Sequence, residues 1–131
     1  MLGQSLILIS YKNKLLLSCE DLPFSESNWG LLGEHIKWTT PLLKNAADII
    51  RDTTKLDIKI THKISLNHEI AKYIFCIKLT DKNVNSIVRP EGQRLEFYTL
   101  RETENLNISA YSGDILSSNY KEIKDFLFET I

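Results

Sequence analysis

The sequence predicts an α/β (α+β) domain in which a mixed β-sheet is sandwiched between helices. Three observations support this class: short apolar runs separated by turn residues, a strongly periodic helical segment between residues 41 and 55, and a second periodic segment at the C-terminal end. The chain has 131 residues, of which 43% are hydrophobic and 25% charged. That length suits one hydrophobic core and is short for two, so we expect a single domain spanning residues 1–131.

A β-hairpin is predicted at the start of the chain. Residues 5–10 and 14–18 are short runs rich in leucine and isoleucine, and they are joined by Tyr11, Lys12 and Asn13. Two apolar runs so close together are typical of antiparallel strands connected by a tight turn. Residues 20–28 then have a turn-forming composition, and residues 29–38 are expected to form an extended segment interrupted by glycine.

Residues 41–55 predict the clearest helix. Apolar side chains recur there at steps of three and four residues, which places them on one helical face: they are Leu42, Leu43, Ala46, Ala47, Ile49 and Ile50. Thr40 is suited to cap this helix. Pro41 is suited to its first position, where the missing N–H of proline costs nothing.

Further strands and a second helix follow. Apolar and polar residues alternate over residues 58–64, and residues 72–79 are apolar and aromatic, so both segments are predicted strands. Residues 81–89 are polar and turn-like, whereas residues 95–99 have the composition of another strand. Residues 120–131 predict a terminal helix, because one helical face gathers Ile123, Phe126, Leu127 and Ile131.

Composition and charge exclude several classes of function. The 16 Lys and Arg residues nearly balance the 17 Asp and Glu residues, and the formal net charge is −1. Proteins that bind nucleic acid or membrane surfaces usually have a one-sided field, so we expect neither partner. No basic residue precedes the apolar residues 6–9, so no signal peptide is indicated and a cytoplasmic location is expected. Cys19 and Cys76 form no C-x-x-C site, and Cys76 is expected to be a small buried hydrophobe.

Residues 29–37, Trp-Gly-Leu-Leu-Gly-Glu-His-Ile-Lys, followed by the capped helix, resemble the Nudix family. The signature of that family is glycine, five residues, glutamate, seven residues, Arg-Glu, an apolar residue, any residue, Glu-Glu, any residue, glycine and an apolar residue. Trp29, Gly30, Leu31 and Gly33 match the W-G-x-P-G-G run that commonly precedes it. Residues 91–102 and 105–110 are similar to a late strand and loop of many Nudix proteins. The resemblance implies the Nudix fold for most of the chain.

The resemblance also implies where a catalytic site would lie, and most of its carboxylates are replaced. Glu34 stands at the first signature glycine, Thr40 at the first glutamate, Asp48 at the arginine, Ile49 at the next glutamate, Asp52 and Thr53 at the Glu-Glu pair, and Lys55 at the last glycine. Only Asp52 keeps a carboxylate at a catalytic position. A register shifted by one, with Gly33 as the signature glycine, gains little because it puts Arg51 at a metal-ligand position.

In the family, this spacing aims three carboxylates from one helix face at a magnesium ion that bridges a diphosphate. Mg²⁺ favours several oxygen ligands, and it is expected as the cofactor only if this chain is active. Ile49 cannot coordinate a metal, and Thr53 is a neutral, weak ligand. Asp48 and Asp52 remain as candidate catalytic and metal-binding residues. The same helix also has the alternating charges of a solvated face, in Lys44, Asp48, Arg51, Asp52 and Lys55.

Other candidate residues follow from the same resemblance. Glu96 is a further candidate catalytic carboxylate. The candidate ligand-binding residues are Trp29, Gly33, Arg51 and Glu91. The aromatic side chains of Trp29, Trp38, Tyr73 and Tyr98 suit a base-stacking pocket, although core packing explains such aromatics more often.

Three hypotheses remain open. The leading one is a Nudix-like domain with a degenerate catalytic helix that binds a nucleotide or a nucleoside-diphosphate-linked ligand with little or no catalysis. The second is a divergent hydrolase that cleaves a nucleoside diphosphate linked to another moiety, using Mg²⁺ held by Asp48, Asp52, Glu91 or Glu96. The third is a protein-interaction domain whose altered helix face, including Ile49 and Thr53, contacts a partner. A homodimer is compatible with each hypothesis.

Overall fold

A mixed five-stranded sheet with helices on both faces forms the domain. The computed structural model describes residues 4–20, 29–33, 42–66 and 71–128. The strands are β1 Gln4–Tyr11, β2 Lys14–Glu20, β3 His62–Ser65, β4 Ala71–Lys78 and β5 Gln93–Tyr98. The helices are α1 Leu42–Thr54, α2 Asp81–Asn85, α3 Leu100–Thr103, α4 Ala110–Ser118 and α5 Tyr120–Phe128. The strand order is β3-β4-β1-β2-β5, with β1 and β4 parallel and the other pairs antiparallel, which confirms the predicted mixed sheet.

The predicted hairpin between β1 and β2 is confirmed. Lys12 and Asn13 have φ values of 48° and 64°, as both central residues of a tight two-residue turn require. β1 and β2 pair with each other only next to this turn, at Ser10–Leu15 and Tyr11–Lys14. Beyond it the two strands separate and leave a gap in the sheet.

Residues 29–32, part of the predicted extended segment, bridge this gap. The backbone N–H of Ile7 in β1 donates to the carbonyl oxygen of Leu32 at 3.0 Å. Gly30 exchanges two hydrogen bonds with Ser18 in β2, at 2.9 and 3.0 Å. The segment therefore completes the centre of the sheet and brings Gly33 close to the start of β1.

Two apolar layers cover the two faces of the sheet. The α1 layer packs against α1 and contains Ile7, Ile9, Leu16, Leu32, Ala46, Ile49, Ile50, Leu56, Phe75, Ile77 and Leu79. The α4–α5 layer packs against α4 and α5 and includes Leu6, Leu8, Leu17, Trp29, Ile74, Cys76, Ile115, Ile123 and Phe126. Alternate residues of β1 enter opposite layers, and residues 6–9 have no exposed surface. A central strand buried on both faces explains the unbroken apolar run that predicted it.

Helix α1 confirms the predicted helix at residues 41–55, and α5 confirms the one at residues 120–131. The predicted cap at Thr40 and Pro41 lies outside the described residues. Burial raises the pKa of the Cys76 thiol to about 12, consistent with a small buried hydrophobe. None of the helices in the described part of the chain is long and apolar enough to cross a membrane.

Two predicted segments are corrected. The composition of residues 81–89 predicts a turn, but α2 forms there because Thr80 and Asn83 make a reciprocal capping box. The strand expected at residues 58–64 begins only at His62. Ile58 packs on the α1 layer and Ile64 on the α4–α5 layer, so the chain changes faces near Thr61 and a single alternation does not describe it.

Two further helices, α3 and α4, have no counterpart among the predicted elements. Thr99 begins α3 by accepting a hydrogen bond from the N–H of Glu102, whose carboxylate accepts one from the N–H of Thr99. That reciprocal cap is readable in the sequence as Thr-x-x-Glu. Ser109 caps α4 through its hydroxyl, and the buried Ser112 hydroxyl accepts a hydrogen bond from the N–H of Leu31 at 2.9 Å.

Candidate functional site on helix α1

Helix α1 contains the positions that the Nudix resemblance assigns to catalysis. Its buried face is formed by Ala46, Ile49 and Ile50, each at most 2% exposed. Arg51 and Asp52 are exposed, whereas Asp48 and Thr53 are half-buried. The helix therefore turns an apolar face to the sheet and keeps its remaining carboxylates at or near the surface.

Ile49, which the resemblance places at the position of a signature glutamate, has its side chain in the α1 layer. It belongs to the same apolar cluster as Ile7, Ile9 and Leu32. A Cβ built on Gly33 would lie 3.4 Å from the Cδ1 atom of Ile49, so the isoleucine packs directly against the end of the bridging segment. The side chain of Ile49 has no polar atom that could bind a metal.

Gly33 has a structural reason to be glycine. Its φ is 90°, in the region that L side chains rarely adopt, and a Cβ there would lie only 2.1 Å from the carbonyl oxygen of Ser5. The close approach of this backbone to β1 therefore excludes any side chain. A role for Gly33 in ligand binding stays a prediction.

Lys55 supports the register in which Glu34 stands at the first signature glycine. It follows α1 directly, has a φ of 64°, and donates its N–H to the carbonyl oxygen of Arg51 at 2.9 Å. This is the left-handed position after a helix, where glycine is strongly preferred. That register puts the last signature glycine at Lys55. The shifted register would put it at Thr54, which is still helical and is buried.

The carboxylates of α1 do not form a cluster. Asp48 is bound by Arg51, with 2.5 Å between Oδ1 and Nη2. Asp52 is exposed. Among the residues that the structure describes, no group of three or more His, Cys, Asp or Glu side chains is arranged to hold a metal ion. Mg²⁺ prefers several oxygen ligands in octahedral geometry, and the donors on this helix do not fit that requirement.

Glu96 is not brought together with the acidic residues of α1. It pairs with Leu17 across β2 and β5, and directly opposed residues of antiparallel strands share a face. Leu17 belongs to the α4–α5 layer, so Glu96 lies on the face of the sheet opposite to α1. Glu91 is exposed in the turn that precedes β5. The structure therefore brings Asp48 and Arg51 together and separates Glu96 from both.

Trp29 is a member of the core. It is 5% exposed, and its ring meets Tyr98 edge-on with 5.2 Å between the ring centroids. The guanidinium of Arg94 lies 5.0 Å from the centroid of the same ring. Burial raises the pKa of Tyr98, with Glu96 contributing in the same direction. Burial and these two contacts account for Trp29 by packing, and its role in ligand binding stays a prediction.

Two hollows in the described part of the chain lie away from α1. One of about 180 Å³ is lined by residues of α3 and α4, together with Ile108 and Tyr120. The other, of about 390 Å³, lies between β3 and α5 and is lined by His62, Phe126 and Phe128 among others. Trp38 and the first signature positions, Glu34 and Thr40, lie outside the described residues.

Comparison with known proteins bears on the fold. No protein-family model matches this sequence, and no curated protein matches it with significance. Solved structures do match. The MutT protein from Methanosarcina mazei superposes with a TM-score of 0.67 over 92% of this chain and 94% of its own, at 13% identity. A NUDIX-family hydrolase from Clostridium perfringens gives a TM-score of 0.62 over 95% and 97% of the two chains, at 16% identity.

This chain has the Nudix fold. A third structure covers almost all of it: the C-terminal domain of mouse MUTYH, in complex with human PCNA, matches 99% of each chain with a TM-score of 0.60 at 12% identity. At such identities the comparisons establish the Nudix fold and do not assign an activity. The arrangement of side chains on α1 must carry the functional argument.

Proposed function

We propose that this Nudix-fold domain is a non-catalytic module that binds a nucleotide or a nucleoside-diphosphate-linked ligand. The observation that carries the proposal is the burial of Ile49 in the α1 layer, at the position where the signature has a glutamate. The left-handed conformation of Lys55 supports the register on which that equivalence rests.

The proposed absence of catalysis has an electrostatic cause. A divalent cation speeds phosphoryl transfer by polarising phosphoryl oxygens and activating water, and its position depends on a set of fixed carboxylates. Helix α1 contains two carboxylates: Asp52 is exposed, and Asp48 forms an ion pair with Arg51. A single exposed aspartate is a weak ligand for a cation that is strongly hydrated in water. Turnover is therefore expected to be absent or far below that of an enzyme.

The proposed class of ligand is supported by the Nudix fold and by the polar side chains that α1 exposes to solvent. Arg51 is exposed over roughly half of its side chain, so it is accessible to a phosphate although it also pairs with Asp48. Glu91 and Asp52 are exposed and suit hydroxyl or amino groups of a ligand. These three side chains are the candidates that we assign to ligand binding.

A product-release assay run beside a thermal-shift assay tests both halves of the proposal. Wild type and Asp52→Asn are each incubated with a panel of nucleoside di- and triphosphates in the presence of Mg²⁺ or Mn²⁺. We expect no release above background in either protein, against about 1–10³ s⁻¹ for typical enzymes. A ligand present at ~100 times its Kd adds about 2.7 kcal/mol of stability, so a true ligand raises the Tm by several degrees.

Each outcome discriminates between the hypotheses. Metal-dependent release that Asp52→Asn abolishes would contradict the non-catalytic half and establish the divergent hydrolase. A panel that leaves the Tm unchanged throughout would contradict the nucleotide-binding half.

A protein-interaction domain is the second candidate, and one comparison favours it. The C-terminal domain of mouse MUTYH, which matches this chain over its whole length, was solved in complex with another protein, human PCNA. A domain whose fold is similar to that of this chain can thus bind another protein. Absence of both turnover and a nucleotide-induced shift would select this candidate over the first.

A further inference from the structure

The outer edge of β5 has the features of a self-complementary interface. β5 is the last strand of the sheet, and it pairs with β2 on one side. No strand in the described part of the chain pairs with its other side. Exposed strand edges present unpaired N–H and C=O groups, and these readily accept another strand.

The charges on β5 are arranged so that one such strand is a second copy of β5. Arg94 pairs with Cys19 and Glu96 with Leu17, both in the α4–α5 layer, so Arg94 and Glu96 share one face. Both side chains are exposed, and neither forms an ion pair with another described residue. Leu95 and Phe97 lie on the other face and are partly buried against the α1 layer.

Charge selects one register for antiparallel pairing of two β5 strands. Directly opposed residues of two antiparallel strands share a face of the sheet. The two-fold axis must therefore pass midway between one residue and the same residue of the second copy. An axis at Arg94 or at Glu96 places like charges directly opposite each other, which is destabilising. An axis at Leu95 places Arg94 opposite Glu96 of the second copy twice, and Leu95 opposite itself. Only this central register forms two ion pairs.

The other edge of the sheet offers no such pairing. β3, with the sequence His-Lys-Ile-Ser, contains Lys63 and no acidic residue. No register of two β3 strands can therefore join opposite charges, and an exposed lysine is a common means of discouraging edge-to-edge association. The contrast between the two edges indicates β5 as the associating one.

We propose that two copies of this chain associate through antiparallel β5 strands centred on Leu95, joining two five-stranded sheets into one. Arg94 and Glu96 form two symmetric ion pairs across the axis. The six residues of β5 bury little area compared with the roughly 1,200–2,000 Å² of a stable protein interface. The dimer is therefore weak and reversible, and it dissociates more readily at high salt because its ion pairs are exposed.

Charge-reversal variants of Arg94 and Glu96 test this dimer. Sedimentation equilibrium measures the dimer Kd of each variant between about 1 µM and about 1 mM protein, a range that brackets weak dissociation constants. Arg94→Glu alone brings four acidic groups together across the axis, and Glu96→Arg alone brings four basic ones together. Each single variant is expected to raise the dimer Kd roughly tenfold or more. The double variant Arg94→Glu with Glu96→Arg restores opposite charges and returns the Kd to near the wild-type value.

Mixing the two single variants is the decisive arm. The acidic β5 of Arg94→Glu then faces the basic β5 of Glu96→Arg, and both ion pairs form between unlike chains. A heterodimer is therefore expected from two proteins that are each monomeric alone. Lys124→Glu and Glu122→Arg make the same changes of charge at exposed positions on α5, outside the proposed interface, and they are the matched controls. Melting curves confirm that every variant is folded.

The double variant and the mixture support the proposal if the former restores the wild-type Kd and the latter forms heterodimers. A wild type that stays monomeric at about 1 mM would overturn it. A dimer whose Kd responds no more to the β5 reversals than to the α5 controls would show that association uses another surface.

Discussion

Ile49→Glu introduces the residue that the Nudix resemblance expects at a position in the core, and the free energy that this substitution costs can be worked out from the burial of Ile49. The isoleucine is 2% exposed, and full burial of such a side chain stabilises the fold by about 1.5–3 kcal/mol. A glutamate in the same place either buries a charge or takes up a proton. Protonating a carboxyl with an ordinary pKa of about 4.3 at about pH 7 costs roughly 3.7 kcal/mol. The variant should lose about 5–7 kcal/mol, against a usual total of 5–15 kcal/mol.

The pH dependence of this loss has a definite sign. Burial raises the pKa of the new carboxyl in the folded state, so folding then favours the protonated form. The free energy of unfolding that the new carboxyl costs is therefore close to zero below the unfolded pKa of about 4.3, and this loss grows as pH rises towards the folded pKa. Ile49→Gln has a similar shape without the titrating group. The two variants should therefore be about equally stable at about pH 4 and differ by roughly 3 kcal/mol at about pH 7.

Urea unfolding of wild type, Ile49→Glu and Ile49→Gln at the two pH values measures this directly. If Ile49→Glu is as stable as Ile49→Gln at neutral pH, the carboxylate reaches water. Ile49 would then face a solvated cleft, which would contradict its burial in the α1 layer.

Three further predictions test other parts of the structure. Gly33→Ala should destabilise the fold by about 2 kcal/mol or more in urea unfolding. The control Gly92→Ala, at a similar φ of 82° in open space, should cost only about 1–2 kcal/mol, and equal losses would contradict the close approach of Gly33 to β1. Lys55→Gly should raise the stability by up to about 1 kcal/mol because it relieves a left-handed lysine, and a loss would contradict that conformation. The N–H and hydroxyl of Thr99 lower the pKa of Glu102, so its contribution is present above the ordinary pKa and lost as pH falls through the folded value. Glu102→Gln should accordingly flatten the acid limb of a stability–pH curve, and an unchanged limb would contradict the cap.

The predictable parts of the fold are those in which one local pattern determines one structure. The β1–β2 hairpin has apolar runs and a short polar turn, and α1 has an unbroken 3.6-residue repeat. Helix α4 lacks such a pattern, since Gly113 and several serines weaken its intrinsic preference. It is held by tertiary contacts, such as the hydrogen bond between Ser112 and the N–H of Leu31, which no local pattern contains.

For the candidate site, the sequence supplied only a register, and that register stays a prediction. Spacing aligned Ile49 and Asp52 of α1, and Lys55 directly after it, with the Nudix signature, and the φ of Lys55 supports that alignment. Spacing could not tell whether Ile49 faces a cleft or the sheet, because that depends on where residues 29–33 cross β1. Nor could it place Glu96 on the opposite face from α1, since the face follows from pairing with β2.

Paramagnetic relaxation by Mn²⁺ reports whether a divalent cation binds at residues 48–53 of α1, whether or not catalysis occurs. Amide signals of residues 48–53 are followed while Mn²⁺ is titrated into the ¹⁵N-labelled protein, with Asp52→Asn as the control. If α1 holds no metal site, we expect these amide signals to broaden no more than those of other residues with exposed carboxylates, such as Asp81 and Glu91. Selective, saturable broadening of residues 48–53 that Asp52→Asn removes would contradict it, because a functional metal site would then persist on α1.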